Sequence, residues 1–105
     1  MRALLYKEKL QLAKNYPAPQ RKEDGALIKV LKAGICSTDI EITHGYMPFT
    51  GVLGHEFAGV VEDATDREWI GKRVVGEINC PCRHCDYCRK GLANHCPNRS
   101  VLGIA

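Results

Sequence analysis

Apolar and polar positions along the chain alternate over short stretches and nowhere sustain a long 3.6-residue period, a pattern that predicts a mostly β domain. Residues 1–13 read as two short strands with a turn near Lys7 to Lys9, followed by a polar, proline-bearing loop from Asn15 to Gly25. Ala26 to Ala33 carries Leu27, Ile28, Val30 and Leu31 among lysines as a further strand, which Gly34 ends. Ser37, Thr38 and Asp39 have side chains that accept bonds from the free N–H groups of a helix start, and Ile40 to Thr43 supply a short helix that Gly45 stops. After a loop from Met47 to Gly51, Val52 to Glu62 reads as one strand bent or bulged at Gly54 and Gly59. Trp69 to Glu77 gives another strand with a turn at Gly71, and Leu102 to Ala105 reads as a last one. The sum is a mostly β, barrel-type fold with one short helix and an excursion for a cysteine loop; no internal repeat is present.

Composition narrows this picture without changing it. The 105 residues, 45% of them hydrophobic and 26% charged, fit one globular domain. The longest apolar runs, such as Ala3 to Tyr6 and Phe57 to Val61, fall far below the roughly 18 residues of a membrane helix. The first residues lack the apolar segment of about 7 to 15 residues that secretion requires, so a cytoplasmic location is expected. A net charge of +3, with no run of like charge, points to neither a nucleic acid nor a membrane as partner.

The chemistry lies in the cysteines. Of the six, five crowd between Cys80 and Cys96, whereas disulfide scaffolds spread theirs along the chain. Cys82, Cys85, Cys88 and Cys96 form C-x2-C-x2-C-x7-C, and two-residue spacers let tight turns point successive sulfurs at one tetrahedral zinc ion. Arg83, Arg89, Lys90 and Arg99 in or beside the loop offset the negative charge of four thiolates and are expected to lower the thiol pKa values. Three cysteines at x2 spacing also resemble an iron–sulfur run, whose last spacer is x3 rather than x7, and free thiols are the third alternative. Cys80, separated from Cys82 only by the rigid Pro81, reads as a small buried hydrophobe, and His84 and His95 as loop groups. Upstream, Cys36 stands at a helix start, where a thiol pKa falls, and His55 opens a later strand. On the residues alone that pair reads more simply as a core cysteine and a hydrogen-bonded histidine than as a shared metal site.

Four strings taken together alter that balance. Gly34-Ile35-Cys36-Ser37-Thr38-Asp39, Gly54-His55-Glu56-Phe57-Ala58-Gly59-Val60-Val61, Gly71-Lys72-Arg73-Val74 and the cysteine lobe follow in the order and spacing of the zinc-dependent medium-chain alcohol dehydrogenases, which the chain resembles over nearly its whole length. The resemblance implies a GroES-like catalytic domain over residues 1–105, with a structural zinc lobe in 80–97 held by Cys82, Cys85, Cys88 and Cys96. It further implies a catalytic zinc held partly by Cys36 and His55, in the Cys2His manner known for alcohol dehydrogenase. Thr38 matches the family's proton-accepting hydroxyl, Asp39 the carboxylate that orients the ligating histidine, and Glu56 the carboxylate that tunes the metal or exchanges with its water. Glu41 stands where some members have a relay histidine, and His44 reads as a surface residue.

The family's third catalytic ligand and its nucleotide-binding domain lie outside the match. The glycines at 51, 54 and 59 fall as G-x2-G-x4-G rather than G-x-G-x-x-G, so no dinucleotide site is expected within these residues. The implied parent enzyme transfers a hydride from a small alcohol or polyol to NAD or NADP, the isolated chain being inactive and a homo-oligomer among its admissible states. A zinc-stabilised binding module without chemistry is the alternative, because fold alone does not fix function.

Overall fold

A computed structural model of the chain describes residues 1–104 and bears out the mostly β architecture. Strands β1 (Ala3–Lys7) and β2 (Lys9–Ala13) form the expected hairpin, with Glu8 at φ +65° making the turn. β4 (Gly51–Val52) pairs with the other edge of β1, giving a sheet of order β2-β1-β4. β3 (Ala26–Gly34) runs one residue further than its hydrophobic pattern and pairs antiparallel with β5 (Glu56–Ala64), which in turn pairs with β6 (Arg73–Val75). Helix α1 (Ser37–Thr43) lies between β3 and β4, and its Ile42 is fully buried. Gly45, at φ +86°, ends the helix in the left-handed conformation that a Cβ disfavours.

Several strand expectations are corrected. Val52 to Glu62 is two strands, because after the Leu53 N–H, which still donates to the Leu4 carbonyl of β1 at 2.9 Å, Gly54 and His55 leave the ladder before β5 begins. The irregularity expected at Gly59 is present, since Gly59 pairs with Val30 beside the register shift between Val30 and Lys32. Gly59 sits inside β5, where a Cβ would lie 2.5 Å from the Lys29 carbonyl oxygen and 2.6 Å from Ile28 Cγ2, so its missing side chain lets β3 and β5 approach. A second register shift falls between Leu27 and Ile28. The segment from Trp69 to Glu77 holds only the short β6, preceded by a 3-10 turn (Arg67–Trp69) that the Asp66 side chain caps through the Glu68 N–H. The strand expected over Leu102 to Ala105 is a turn through Ile104, with Ala105 outside the described residues.

Three short elements had no counterpart in the hydrophobic pattern. A two-residue pair, β7 (Asn79–Cys80) with β8 (Ser100–Val101), closes the base of the cysteine loop, and a one-turn helix α2 (Asp86–Arg89) lies inside it. The polar loop before β3 is pinned at Arg21, which donates to Asp63 on β5 at 2.8 Å and to Thr65 at 2.6 Å. The Arg21 guanidinium holds the Asp63 carboxyl below its ordinary pKa. No helix among the described residues is long and apolar enough to cross a membrane.

Candidate metal centres

The cysteine loop turns inward at every step. Arg83, at φ +68°, reverses the chain after Cys82; Cys85 sits at the N-terminus of α2 and Cys88 lies on it. Gly91, at φ +76°, then turns the chain into a 3-10 segment (Ala93–His95) that delivers Cys96, whose side chain is fully buried. The sulfurs of Cys82, Cys85, Cys88 and Cys96 all lie within 4.8 Å of one another. Three of the separations are 3.5 Å (Cys85 to Cys88), 3.8 Å (Cys85 to Cys96) and 3.9 Å (Cys82 to Cys88). Four sulfurs each about 2.3 Å from a central zinc stand about 3.8 Å apart along a tetrahedron's edges. The donor set and its spacing therefore fit a closed tetrahedral zinc site.

Backbone amides prepare those sulfurs for negative charge. The Cys85 N–H donates to Cys82 Sγ at 3.3 Å and the Cys82 N–H to Cys96 Sγ at 3.4 Å. The backbone N–H of His84 contributes most to lowering the Cys82 thiol to about 6, while burial is the main reason that the Cys88 thiol is pushed up to about 12. The expected influence of Arg83, Arg89, Lys90 and Arg99 on Cys82 and Cys88 is absent from this balance apart from the Arg83 backbone N–H, which lowers Cys88. Arg99 instead donates to the Cys96 carbonyl at 3.1 Å. Cys80 is exposed, 3.7 Å from the Ile78 carbonyl, and not the buried hydrophobe expected from Pro81. His84 and His95 are exposed and stand outside the sulfur set.

The second cluster is assembled by tertiary structure. Cys36 follows β3 in extended backbone (φ −89°, ψ 155°) and starts α1. His55 immediately precedes β5, and Glu56 opens it opposite Gly34 in the β3–β5 register. One ligand atom from each of Cys36, His55 and Glu56 lies within 4.8 Å of the others. His55 is buried, Cys36 half-buried and Glu56 exposed, so the cluster is open on the carboxylate side.

Asp39 organises both of the deeper groups. Its Oδ2 accepts the Cys36 N–H at 2.9 Å, fixing the start of α1, and its Oδ1 stands 3.2 Å from His55 Nδ1. Only 5% of Asp39 and 7% of His55 is exposed, yet neither Oδ1 nor Nδ1 has a hydrogen bond: the pair is close but the ring is turned off the bonding axis. At 3.2 Å a small rotation of the ring is enough to align the two atoms. A cation on Nε2 fits this pair, since it makes Nδ1 an obligate N–H donor with Asp39 as its acceptor. Thr38 is half-buried on α1, one position before Asp39, and is not one of the three clustered groups.

Sequence reasoning gave Asp39 the histidine but missed its bond to the Cys36 backbone, although a carboxylate three residues after a helix start is a recognisable signal. It also missed Gly34 as part of the site. A Cβ at Gly34 would come 2.7 Å from Glu56 Oε2, so the glycine makes room for that carboxylate.

Residues 22–104 match the family described as the alcohol dehydrogenase GroES-like domain. The chain is 39% identical to the L-threonine 3-dehydrogenase of Chelativorans sp. (strain BNC1) over 97 residues, 84% of this chain and 28% of that enzyme. It is 35% identical to the erythritol/L-threitol dehydrogenase of Mycolicibacterium smegmatis over 104 residues, 82% of this chain and 29% of that enzyme. Among solved structures, the short chain alcohol dehydrogenase rspB of E. coli CFT073, complexed with NADH, superposes with a TM-score of 0.85 at 30% identity, covering 99% of this chain and 32% of that one. The chain thus spans about three-tenths of the length of each.

Proposed function

The chain belongs to the alcohol dehydrogenase GroES-like domain family, and from that premise we propose that it is the metal-holding part of a zinc-dependent dehydrogenase that oxidises an alcohol or polyol, with NAD or NADP as hydride acceptor. The observation that carries this reading is the meeting of Cys36, His55 and Glu56 within 4.8 Å, with Asp39 against the buried histidine. A structural binding module has no use for a thiol, an imidazole and a carboxylate gathered at the open end of a strand pair.

In this reading Cys82, Cys85, Cys88 and Cys96 hold a structural zinc, and Cys36 and His55 hold a second. When bound, that second zinc supplies Lewis acidity toward the substrate oxygen, and the nicotinamide accepts the hydride. Asp39 keeps His55 in the tautomer that offers Nε2 and anchors the helix start that carries Cys36. Thr38, with a hydroxyl that both accepts and donates, takes the proton of the substrate hydroxyl. Glu56, exposed at the mouth, is the third group able to close on the metal when substrate is absent.

The nucleotide-binding domain and the remaining catalytic ligand lie outside these residues in this proposal, so residues 1–105 alone do not turn over substrate. Ile35 and Val75, each 77% exposed, and Tyr46, 68% exposed, support it, because apolar groups of this size are ordinarily covered. Both small hydroxy amino acids and polyols are named among the relatives, so the substrate class proposed is a small, polar secondary or primary alcohol.

Elemental analysis of the purified chain with an absorption spectrum tests the assignment. About one zinc per chain, lost with Cys82→Ser and kept with Cys36→Ser, is the expected result for a filled four-thiolate site beside a weakly held second one. Two zincs mean that Cys36, His55 and Glu56 suffice without a further ligand. Iron with visible absorption, or no metal, overturns the reading.

A further inference from the structure

After β8 the chain does not leave the molecule; it folds back onto the segment that leads through His55 into β5. The turn is fixed from the lobe side: the Leu102 N–H donates to the Ile78 carbonyl at 3.0 Å, extending the β7–β8 pair, and the Ile104 N–H donates to the Val101 carbonyl at 3.2 Å. At its tip Gly103, at φ +68°, lies with its backbone directly on the backbone of Gly54. A Cβ built on Gly103 would overlap the Gly54 carbonyl oxygen and fall 2.6 Å from its carbonyl carbon and 3.1 Å from its nitrogen. No other glycine of the described residues in the left-handed region meets main chain this closely, and Gly45, Gly54, Gly71 and Gly91 meet nothing within 4 Å.

Gly54 is the residue before His55. It has φ +117°, sits outside any strand and has an exposed position, so its own ladder does not hold it in place. The peptide that joins it to His55 sets where the imidazole begins, and the imidazole must reach both Asp39 and the Cys36–Glu56 pair. The carbonyl under Gly103 belongs to that peptide.

We propose that Gly103 is a positioning residue for the Cys36–His55–Glu56 centre: held by the β7–β8 base of the four-cysteine lobe, its bare backbone braces the Gly54–His55 peptide and so aims the imidazole. The lobe then does more than stabilise itself. It fixes the angle from which the second centre receives its histidine, across 48 positions of sequence (103 minus 55). The inference rests on the proposal that Cys36, His55 and Glu56 hold a metal, and its test separates the two.

The test is a Co2+ titration of the zinc-filled protein, following thiolate-to-cobalt absorption, with Cys36→Ser as the variant that identifies the band of this centre. Gly103→Ala is compared with Gly71→Ala, which carries the same kind of backbone strain (φ +85°) but meets nothing within 4 Å. Gly103→Ala is expected to weaken Co2+ at the Cys36 centre by about 10- to 100-fold, the usual cost of disturbing a group that orients a ligand. The lobe zinc stays bound, and Gly71→Ala leaves Co2+ affinity unchanged. Leu102→Gly loosens the same turn without adding an atom, removes only a half-exposed side chain, and decides the matter where Gly103→Ala does not fold. Native Co2+ affinity in Gly103→Ala, or in Leu102→Gly when the first variant is unfolded, overturns the brace. Absence of any Cys36-dependent band in the unaltered protein overturns instead the assignment of that centre.

Discussion

The four-cysteine lobe and the Cys36–His55–Glu56 centre offer similar chemistry and are built in opposite ways. The lobe draws its ligands from one continuous loop, residues 82 to 96, whose turns are set by Arg83, α2 and Gly91. The second centre needs a strand end, a helix start and the opening of another strand, and these meet only because β3 pairs with β5 over nearly their full lengths. Local chain geometry can present the first set once an ion organises it, whereas the second exists only in the finished fold. In the proposed assignment, an ion in the lobe would act as a folding partner and one at Cys36 and His55 as a ligand of a structure already made.

The largest expected effect follows from that difference. Structural zinc in four-ligand peptides contributes about 10 to 16 kcal/mol, so chelation, or Cys96→Ser at the buried sulfur, should melt residues 79–101. Amide signals of that segment are expected to collapse while those of β3 and β5 persist; simultaneous loss of both sets would break the contrast. Next comes Gly59→Val, which drives a side chain into Lys29 and Ile28 across the β3–β5 pair and should cost about 1–3 kcal/mol in denaturant unfolding. It should also disperse Cys36 from His55 while the lobe keeps its zinc, and an unaltered second centre would count against its dependence on the strand pair.

Gly34→Ala sharpens the comparison further, because it moves Glu56 alone. A Cβ there meets Oε2 at 2.7 Å, and the expected outcome is a loss on the order of tenfold in metal affinity at that centre with the unfolding midpoint little changed. The smallest effect belongs to Asp63→Asn, far from either centre. Asp63 titrates below its ordinary value of 3.8 when folded, chiefly because Arg21 bonds to it, so its stabilisation is present above that pH and disappears as pH falls through the lower folded value. The variant should be slightly less stable than the parent at neutral pH and match it in strong acid, as read by paired denaturation curves. Metal content should not move at either pH-neutral site, since the Arg21–Asp63 pair touches neither.

How much of this could be read in advance also divides along the same line. C-x2-C-x2-C-x7-C announced the lobe by itself, because spacing within a loop is a statement about local geometry. Cys36 and His55, 19 positions apart, carried no such signal, and only the resemblance of the surrounding strings paired them. The hairpin of residues 3–13 and β3 followed from alternation, and α1 from its helix-start residues, although the N-cap is Cys36 and Ser37 to Asp39, expected as caps, form the first turn. The break before His55 showed only as a bend at Gly54 within one strand, because apolar Leu53 continues the pattern while the backbone at Gly54 leaves it. β7 and β8 are two residues each, too short for any period, and the exposure of Cys80 depends on which way that pair faces. The contact of Gly103 with Gly54 involves no side chain at all, so hydrophobicity cannot encode it.

Trp69, the one tryptophan, closes the 3-10 turn beyond the Ala64 end of β5, with the Lys72 ammonium 5.2 Å from its ring. Glu56 stands at the opposite end of that strand, about 26 Å away at the usual rise per residue. Emission from this indole therefore reports the integrity of the β5–β6 turn, a strand's length from the Glu56 end of β5. Fluorescence and cobalt absorption are in effect two separate channels on one molecule, the first for the scaffold and the second for the site, readable in the same cuvette.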